Sequence, residues 1–228
     1  MTKLHLAYCS GEAAKFACSN WHYSRKLPSF KTARFGVWED ENFIGAVVFS
    51  HPLPPLRKTF GVQKMRIVEL SRVALAEHKT PVSRILAVAL RLLFETNPKI
   101  ELVISFADTE QGHHGGVYQA GGWLYTGAQS SGPRYRDGLK PMHSRVYHQM
   151  RREQKNTDHI VRYEGSVKHR YVKFGPAASS GLEGRVKQML KSYPKRTKPS
   201  SEASGFRSVE GGAIPTRALQ SSQVVANG

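Results

Sequence analysis

The spacing of apolar residues along the chain predicts a mixture of strands and helices. Apolar residues that alternate with polar ones suit a half-buried strand, whereas apolar residues three and four apart suit a helix. Alternation predicts strands over residues 4–9, 32–38, 43–49 and 66–75. A helix is predicted over 11–20, and the acidic turn at 39–42 joins two strands into a hairpin. Residues 51–61 contain three prolines and are predicted to form a loop.

The clearest helical pattern covers residues 82–96, which carry apolar side chains at 82, 85, 86, 89, 90 and 93. Thr80 precedes it as a capping hydroxyl and Pro81 as a first helical residue. A nearly continuous apolar run over 100–107 predicts a buried strand. The remaining predicted elements are a short helix over 117–120, strands over 123–127, 145–150 and 169–174, and a helix over 182–190.

This order of elements predicts an α/β (α+β) fold. A mixed, mostly antiparallel central sheet flanked by helices accounts for both the hairpins and the strand–helix–strand crossover. The predicted domain spans residues 1–175, followed by a basic helical extension over 176–198. The last segment, 199–228, is rich in Ser, Gly and Ala and is predicted to be a flexible tail.

The charge balance points to a polyanionic partner. The chain has 34 Lys and Arg against 17 Asp and Glu, a formal net charge of +17, which favours nucleic acid, acidic membranes or acidic proteins. Near the C-terminus the basic residues are interleaved with aromatic residues that can stack on bases. The predicted DNA contacts there are Lys168, Arg170, Lys173, Lys195 and Arg196. A solvated, self-repelling tail is the alternative interpretation.

The two cysteines, Cys9 and Cys18, lie nine residues apart. This spacing fits neither a zinc site nor a disulfide framework, so a reducing, cytosolic setting is expected. No stretch approaches the roughly 20 apolar residues of a membrane span, and no membrane partner is expected.

The strongest candidate for chemistry is the loop that follows the buried strand. Asp108 stands at the carboxyl end of that strand, where such sheets bind ligands. Glycines surround His113 and His114 and allow the backbone to approach a substrate closely. The structural alternative is a tight turn in which Asp108 only caps the next helix.

Three further groups of polar residues are candidates for substrate or cofactor binding. His22 and Tyr23 stand at a helix end and could exchange protons. Glu69, Ser71 and Arg72 interrupt an apolar strand, where strict alternation places Arg72 on the opposite face from Glu69. The predicted helix start offers free backbone N–H groups to a phosphate, and its candidate residues are Thr80, Ser83 and Arg84. The structural alternatives are a surface or core role for His22 and Tyr23, a packing role for the Glu69–Arg72 pair, and a plain capped helix for the last group.

Several segments together resemble the Mom family of phage DNA-modification proteins. They are NWHYS (20–24), FGVWE (35–39) with FIG (43–45), ELSRVAL (69–75), SFAD (105–108), the glycine-rich loop (112–123) and YPKR (193–196). The resemblance covers roughly residues 1–198, and the ordered combination of segments is more specific than any single one.

This resemblance implies a fold related to the GCN5-type N-acetyltransferases. It also implies conversion of adenine N6 in double-stranded phage DNA to a carbamoylmethyl (acetamido) derivative, in the cytoplasm of the infected host, as protection against restriction. By position, His22, Tyr23 and Asp108 match the family's reactive centre, with Ser105 alongside. Glu69, Arg72 and Tyr118 are added as supporting candidates.

The donor of the acetamido group stays open. The turn before the central helix, residues 78–84, lacks the glycines with which acetyltransferases hold coenzyme A, so acetyl-CoA is not expected there. An iron ion held by His22, Tyr23 and Asp108 is a second hypothesis. Two other functions remain: an acetyl-CoA-dependent N-acetyltransferase for a protein or small molecule, and a DNA-binding protein without catalysis.

Overall fold

The computed structural model describes residues 2–29, 32–130, 132–142 and 144–195. A seven-stranded sheet forms its centre, with its strands in the order β1-β2-β3-β4-β5-β10-β6. These strands are β1 (Leu4–Tyr8), β2 (Thr32–Glu39), β3 (Asn42–Ser50), β4 (Ile67–Leu75), β5 (Leu102–Asp108), β6 (Leu124–Ser130) and β10 (Val167–Phe174). The helices are α1 (Gly11–Trp21), α2 (Pro54–Phe60), α3 (Val82–Thr96), α4 (Gly116–Ala120), α5 (Ser144–Arg152) and α6 (Ser180–Gln188).

The pairing of the strands confirms the predicted fold class. Within this sheet β4 and β5 are parallel and joined by the crossover through α3, and the other neighbouring strands are antiparallel. Helices cover both faces of the sheet, and successive residues of β5 therefore pack into different cores. Val103 packs with the residues of α3, whereas Leu102 and Ile104 pack with residues of α2 and α6.

The helix α3 has the predicted bounds, and its apolar stripe explains its position. Ile85, Leu86, Ala89, Leu90 and Leu93 are all buried in the larger core. On the other side of the sheet, α6 buries Leu182 and Val186 completely, so the segment after residue 175 contributes to the core through this helix. The compact unit of the chain extends to Lys195.

The predicted loop over 51–61 is wrong, because α2 occupies most of it. Pro54 and Pro55 stand in the first turn of the helix, where their missing N–H groups would have had no helical partner. Gly61 ends the helix in the left-handed conformation, with φ +61°. Leu56 and Phe60 anchor α2 in the core.

The predicted strand over 145–150 is also wrong, because this segment forms the helix α5. It belongs to a part of the chain between β6 and β10 that sequence patterns did not predict. There β7 (Arg134–Asp137), β8 (Lys140–Met142) and β9 (Ile160–Tyr163) form a separate antiparallel sheet. We call residues 132–142 and 144–163 the insert. The ring of Tyr147 in α5 stacks on Tyr135 in β7 at 3.9 Å, so α5 packs on one face of the small sheet.

Among the described residues, no helix is long and apolar enough to cross a membrane.

Candidate functional site

A cleft of about 570 Å³ lies where two neighbouring strands of the main sheet separate. The parallel pairing of β4 and β5 ends at Leu70 and Ser105, although both strands continue beyond those residues. The ends of these strands form two walls, the residues after α1 form a third, and the glycine-rich loop with α4 forms the fourth. The polar and aromatic residues that line the cleft are Trp21, His22, Tyr23, Ser71, Arg72, His78, Phe106, Gln111, His113, His114 and Tyr118.

His22 and Tyr23 stand together at one wall, as predicted. Their rings stack at 4.3 Å, and Tyr23 meets the ring of His113 edge-on at 6.2 Å. Tyr23 is half exposed. Burial is the first cause that raises its pKa, and the nearby charge of Asp108 is the second, so the phenol keeps its proton at neutral pH. The cleft therefore has an aromatic rim on which a planar ring can stack.

Hydrogen bonds hold the imidazole of His22 in one tautomer. The backbone N–H of Ser24 donates to Nδ1 over 3.1 Å, and the Ser24 hydroxyl lies 2.8 Å from the same atom. A backbone N–H can only donate, so Nδ1 is the acceptor and the proton of the neutral ring is on Nε2. Burial first, and then the charges of Arg72 and His113, lower the pKa of His22 from 6.5 to about 4. His22 is thus a neutral hydrogen-bond donor through Nε2.

The depressed pKa of His22 predicts a pH-dependent stability. The folded protein binds this proton near pH 4 and the unfolded chain near pH 6.5, so the unfolded state takes up more protons between these values. We expect the free energy of unfolding to fall as the pH falls from 6.5 towards 4. Urea titrations at several pH values would measure it for the wild type and for His22→Asn. The loss should be smaller in the variant, and identical profiles would contradict the assignment.

Arg72 lies on the same side of the sheet as Glu69, contrary to the strict alternation expected from sequence. A β-bulge shifts the register between β3 and β4, so Leu70 pairs with Phe49 while Arg72 pairs with Val48. The Arg72 Nε donates to the Lys26 carbonyl over 3.0 Å. Arg72 therefore joins the wall formed by β4 to the segment that carries His22.

Ser71 and Glu69 have different environments. The Ser71 hydroxyl donates to the Val48 carbonyl over 3.1 Å and lines the cleft near the bulge. Glu69 is partly buried outside the cleft lining, and burial, opposed by the charges of Arg72 and Lys168, raises its pKa.

Tyr118 and Ser105 form a buried pair at the inner end of the cleft. The Ser105 hydroxyl lies 2.8 Å from the Tyr118 hydroxyl and 3.0 Å from the Leu70 carbonyl. Ser105 has one proton for these two neighbours, so the direction of its bond to Tyr118 can reverse. Burial raises the pKa of Tyr118 to about 12, and the phenol is protonated at neutral pH.

Asp108 occupies a position next to the cleft but is not among the residues that line it. The residue is only 4% exposed. One carboxylate oxygen accepts the Glu110 N–H over 3.1 Å, as the cap of a short 3-10 turn, and the other lies 3.3 Å from Lys168 Nζ. The structure thus brings His22 and Tyr23 together at the cleft and places Asp108 behind the loop that forms its rim.

The glycine-rich loop is held against the sheet by Tyr171. The Tyr171 hydroxyl donates to the His114 carbonyl over 2.7 Å. Gly115 has φ +86°, and a Cβ atom there would lie 2.2 Å from the Tyr171 ring. Glycine is therefore required at this position, and the close packing fixes the backbone next to His113 and His114.

The start of α3 differs from the predicted capped terminus. The helix begins at Val82 with Pro81 as its N-cap residue, so Thr80 is not the cap. The buried carboxylate of Glu39 accepts the N–H groups of Lys79 and Thr80 at 3.0 and 2.6 Å. Those bonds lower the pKa of Glu39, which stays ionised.

The other two residues predicted at this helix start do not line the cleft. Ser83 faces a separate groove beside α3, and Arg84 is exposed. A pyrophosphate at the turn would meet the carboxylate of Glu39, so the turn does not suit coenzyme A.

The proposed iron ligands do not suit a common metal ion. The Nδ1 of His22 is occupied by a backbone N–H, and its Nε2 carries the proton of the neutral ring. The Asp108 oxygens already bond a backbone N–H and a lysine. Within the described residues no group of three His, Cys, Asp or Glu could hold a metal.

Three of the basic residues predicted to contact DNA bond to the protein itself. Lys168 pairs with Asp108, Arg170 donates to the Thr126 hydroxyl over 2.8 Å, and Lys173 donates to the Gly121 carbonyl over 3.0 Å. Lys195 is exposed, and Arg196 lies outside the described residues. Trp21, His78, Phe106 and Gln111 also line the cleft, although none of them was predicted as a site residue. Trp21 and Gln111 are sequence neighbours of predicted site residues, which is the one signal that could have found them.

Comparison with known proteins adds evidence from outside the geometry. The profile of the Mom protein family matches residues 3–195. The methylcarbamoylase Mom of Escherichia phage Mu is 29% identical over 115 residues, a segment that covers 48% of each chain. This match therefore spans about half the length of the curated relative.

Solved structures of acetyltransferases overlay on the chain with low scores. The spermidine/spermine N-acetyltransferase of Vibrio cholerae has a TM-score of 0.45 and 13% identity, covering 75% of this chain and 92% of that one. An acetyltransferase of Bacillus subtilis has a TM-score of 0.44 and 11% identity, covering 76% of this chain and 99% of that one.

Proposed function

The chain belongs to the Mom protein family, and on this premise we propose that it transfers a carbamoylmethyl group to the N6 amine of adenine in double-stranded phage DNA. The modification would protect that DNA from host restriction, in the cytoplasm of the infected cell. The observation that carries the proposal is the family match over residues 3–195, which includes every residue of the cleft. The named relative, a methylcarbamoylase of a phage, supports the same type of reaction.

The dimensions of the cleft suit a base taken out of the duplex. A base that is paired and stacked in a duplex cannot place its reacting atom inside an enzyme's cleft, so modifying enzymes extrude the base and stack it against aromatic or apolar side chains. The stacked rings of His22 and Tyr23 offer such a surface at the rim. A volume of about 570 Å³ is in the range of small-molecule sites and accommodates a purine together with a small donor.

The proposed reaction needs no oxidant or reductant. The lone pair of N6 forms a bond to the methylene carbon of a donor that carries a –CH₂CONH₂ group and a leaving group. The bond from that carbon to the leaving group breaks and its electron pair leaves with the leaving group. N6 loses one proton, and the leaving group gains one.

Two residues of the cleft would assist this transfer as proton or hydrogen-bond donors. Tyr118 is protonated at neutral pH and is held by Ser105, so it can donate to the departing group. The Nε2–H of His22 can donate to a ring nitrogen of adenine or to the carbonyl oxygen of the donor. A neutral imidazole does this without adding a charge to the cleft.

Asp108 has a positioning role in this proposal. Its carboxylate holds the start of the 109–116 loop through the Glu110 N–H, and it holds β10 through Lys168. Tyr23 would orient the adenine from the rim, because its exposed ring already stacks on His22. The chain's basic surface would hold the DNA backbone.

Nucleoside mass spectrometry tests the proposal directly. We expect DNA from bacteria that express the chain to contain a deoxyadenosine in which –CH₂CONH₂ replaces one hydrogen. DNA from cells that express the Tyr118→Phe variant is the matched control and should contain much less of it. An acetyl increment would instead identify an ordinary acetyltransferase. Unmodified nucleosides from well-folded protein that binds DNA would overturn the proposed reaction.

A further inference from the structure

The insert presents one face that no helix of the described residues covers. Tyr135 points to the side packed by α5, so the neighbouring residues of β7 point to the other side. Arg136 pairs with Val161 across the strands and lies on this second side, and its guanidinium lies 5.9 Å from the ring centre of Tyr163. Val161 and Tyr163 are both exposed. We call these three residues the open face of the insert.

The hairpin between β7 and β8 ends in an exposed leucine. Asp137 pairs with Lys140, so Gly138 and Leu139 alone form the turn. Gly138 has φ +56°, which two-residue hairpins require and which glycine adopts without strain. Leu139 is 96% exposed, the highest fraction among the large hydrophobic residues that the structure describes. A short turn on a three-stranded sheet thus holds an apolar side chain out in solvent, between charged neighbours.

The charge of the insert suits a polyanion. Residues 132–163 contain eight Lys and Arg against three Asp and Glu. The Lys140 and Arg162 side chains are exposed, as is that of Arg136 on the open face. Basic residues beside an exposed aromatic ring are typical of surfaces that contact both phosphates and bases.

The base of the hairpin is attached to the rim of the cleft. Arg134 forms an ion pair with Glu110, which lies in the loop that continues into the cleft wall. Leu139 lies five residues beyond Arg134 along the strand and turn, a reach of about 16 Å at the rise of a β-strand. A two-stranded ribbon of this kind enters the major groove of B-DNA, which is about 12 Å wide.

We propose that the insert is a DNA-docking element and that Leu139 enters the base stack where an adenine has left it. Proteins that distort a duplex use leucine and similar apolar side chains as wedges between base steps. The proposal rests on the proposed function, because a base that is modified in the cleft must leave the helix. Arg136 of the open face then contacts a neighbouring phosphate, and the Arg134–Glu110 pair links the base of the hairpin to the loop at the cleft.

Fluorescence of 2-aminopurine tests the wedge apart from the chemistry. This base is quenched within a duplex, brightens when it is unstacked, and lacks the N6 amine. We would bind the wild type to a set of duplexes in which one 2-aminopurine stands between every combination of neighbouring bases. The fluorescence should rise for the wild type and for Leu139→Met, and the rise should be lost for Leu139→Ala. DNA affinity should change less than about threefold, because phosphate contacts supply most of it.

Leu53→Ala is the matched control, because Leu53 is also exposed, at 59%, and lies in the main domain before α2. It should keep the full fluorescence rise. In cells, Leu139→Ala should reduce the modified nucleoside by about tenfold or more, since a base step is costly to unstack without the wedge. A full rise with Leu139→Ala, or no rise with wild type that modifies DNA, would overturn the wedge. A Leu139-dependent rise without modified nucleosides would support the wedge and overturn the proposed reaction.

Discussion

Replacing Tyr118 with phenylalanine is expected to lower the rate of DNA modification by about 10²–10⁴-fold, the usual contribution of a positioned proton donor. The variant removes one oxygen atom, which lies 2.8 Å from Ser105 Oγ, and keeps the ring. The ring packs against Trp123 and Tyr171 with centroids at 5.3 and 5.1 Å, so the core should be preserved. Ser105 retains the Leu70 carbonyl as a partner.

Single-turnover rates on a DNA substrate would measure this effect, with Tyr125→Phe as the control. Tyr125 belongs to the same aromatic cluster but bonds to His169 and does not line the cleft. The control should keep nearly full activity, and both variants should unfold at similar urea concentrations. Equal rates for Tyr118→Phe and the wild type would exclude Tyr118 as the proton donor.

Substitution of Arg72 by alanine should reduce modification by about 100-fold, because small displacements of reacting groups have effects of this size. Its guanidinium ties the Lys26 carbonyl to β4 and lies against the cleft. Without it, the segment that carries His22 loses its anchor. Arg72→Lys should be intermediate, since an ammonium keeps the charge but not the planar set of donors.

A measurement of the His22 pKa distinguishes a local effect of Arg72 on His22 from a general destabilisation of the protein. Burial is the main cause of its depression and the charge of Arg72 is the second. NMR titration should therefore show a higher His22 pKa in Arg72→Ala than in the wild type. Arg91→Ala removes an equal charge from an exposed pair on α3 and should change neither the rate nor this pKa. An unchanged His22 pKa in Arg72→Ala would contradict the electrostatic effect of Arg72 on His22.

The main sheet could be predicted from the sequence because each of its strands carries its own apolar signal. The run over 100–107 is buried on both faces of β5, and the stripe of α3 has helical spacing. The segments that failed are those where local signals are ambiguous. Pro54 and Pro55 suggested a loop, yet the same residues begin α2. The strands of the insert are three or four residues long, too short for alternation to be recognised.

Within the candidate site, residues that lie near each other in sequence could be predicted, whereas contacts that depend on strand pairing across the sheet could not. His22, Tyr23, His113 and His114 were found as neighbours of breaks in apolar patterns, and all line the cleft. The bulge that turns Arg72 towards the side of Glu69 depends on the register with β3, which no local pattern reveals. Likewise, the pairing of Asp108 with Lys168 joins residues 60 positions apart.

The carboxylate of Glu39 has a consequence for which molecules can supply the transferred group. It accepts two backbone N–H groups of the turn before α3. A carrier with a diphosphate group would bring a second negative charge to the same place. We therefore expect the protein to select its donor by the reactive end and the size of that molecule, because a diphosphate tail would not bind at this turn. Such a protein could draw on a small, uncharged metabolite, and its activity would not follow the supply of nucleotide-linked carriers in the cell.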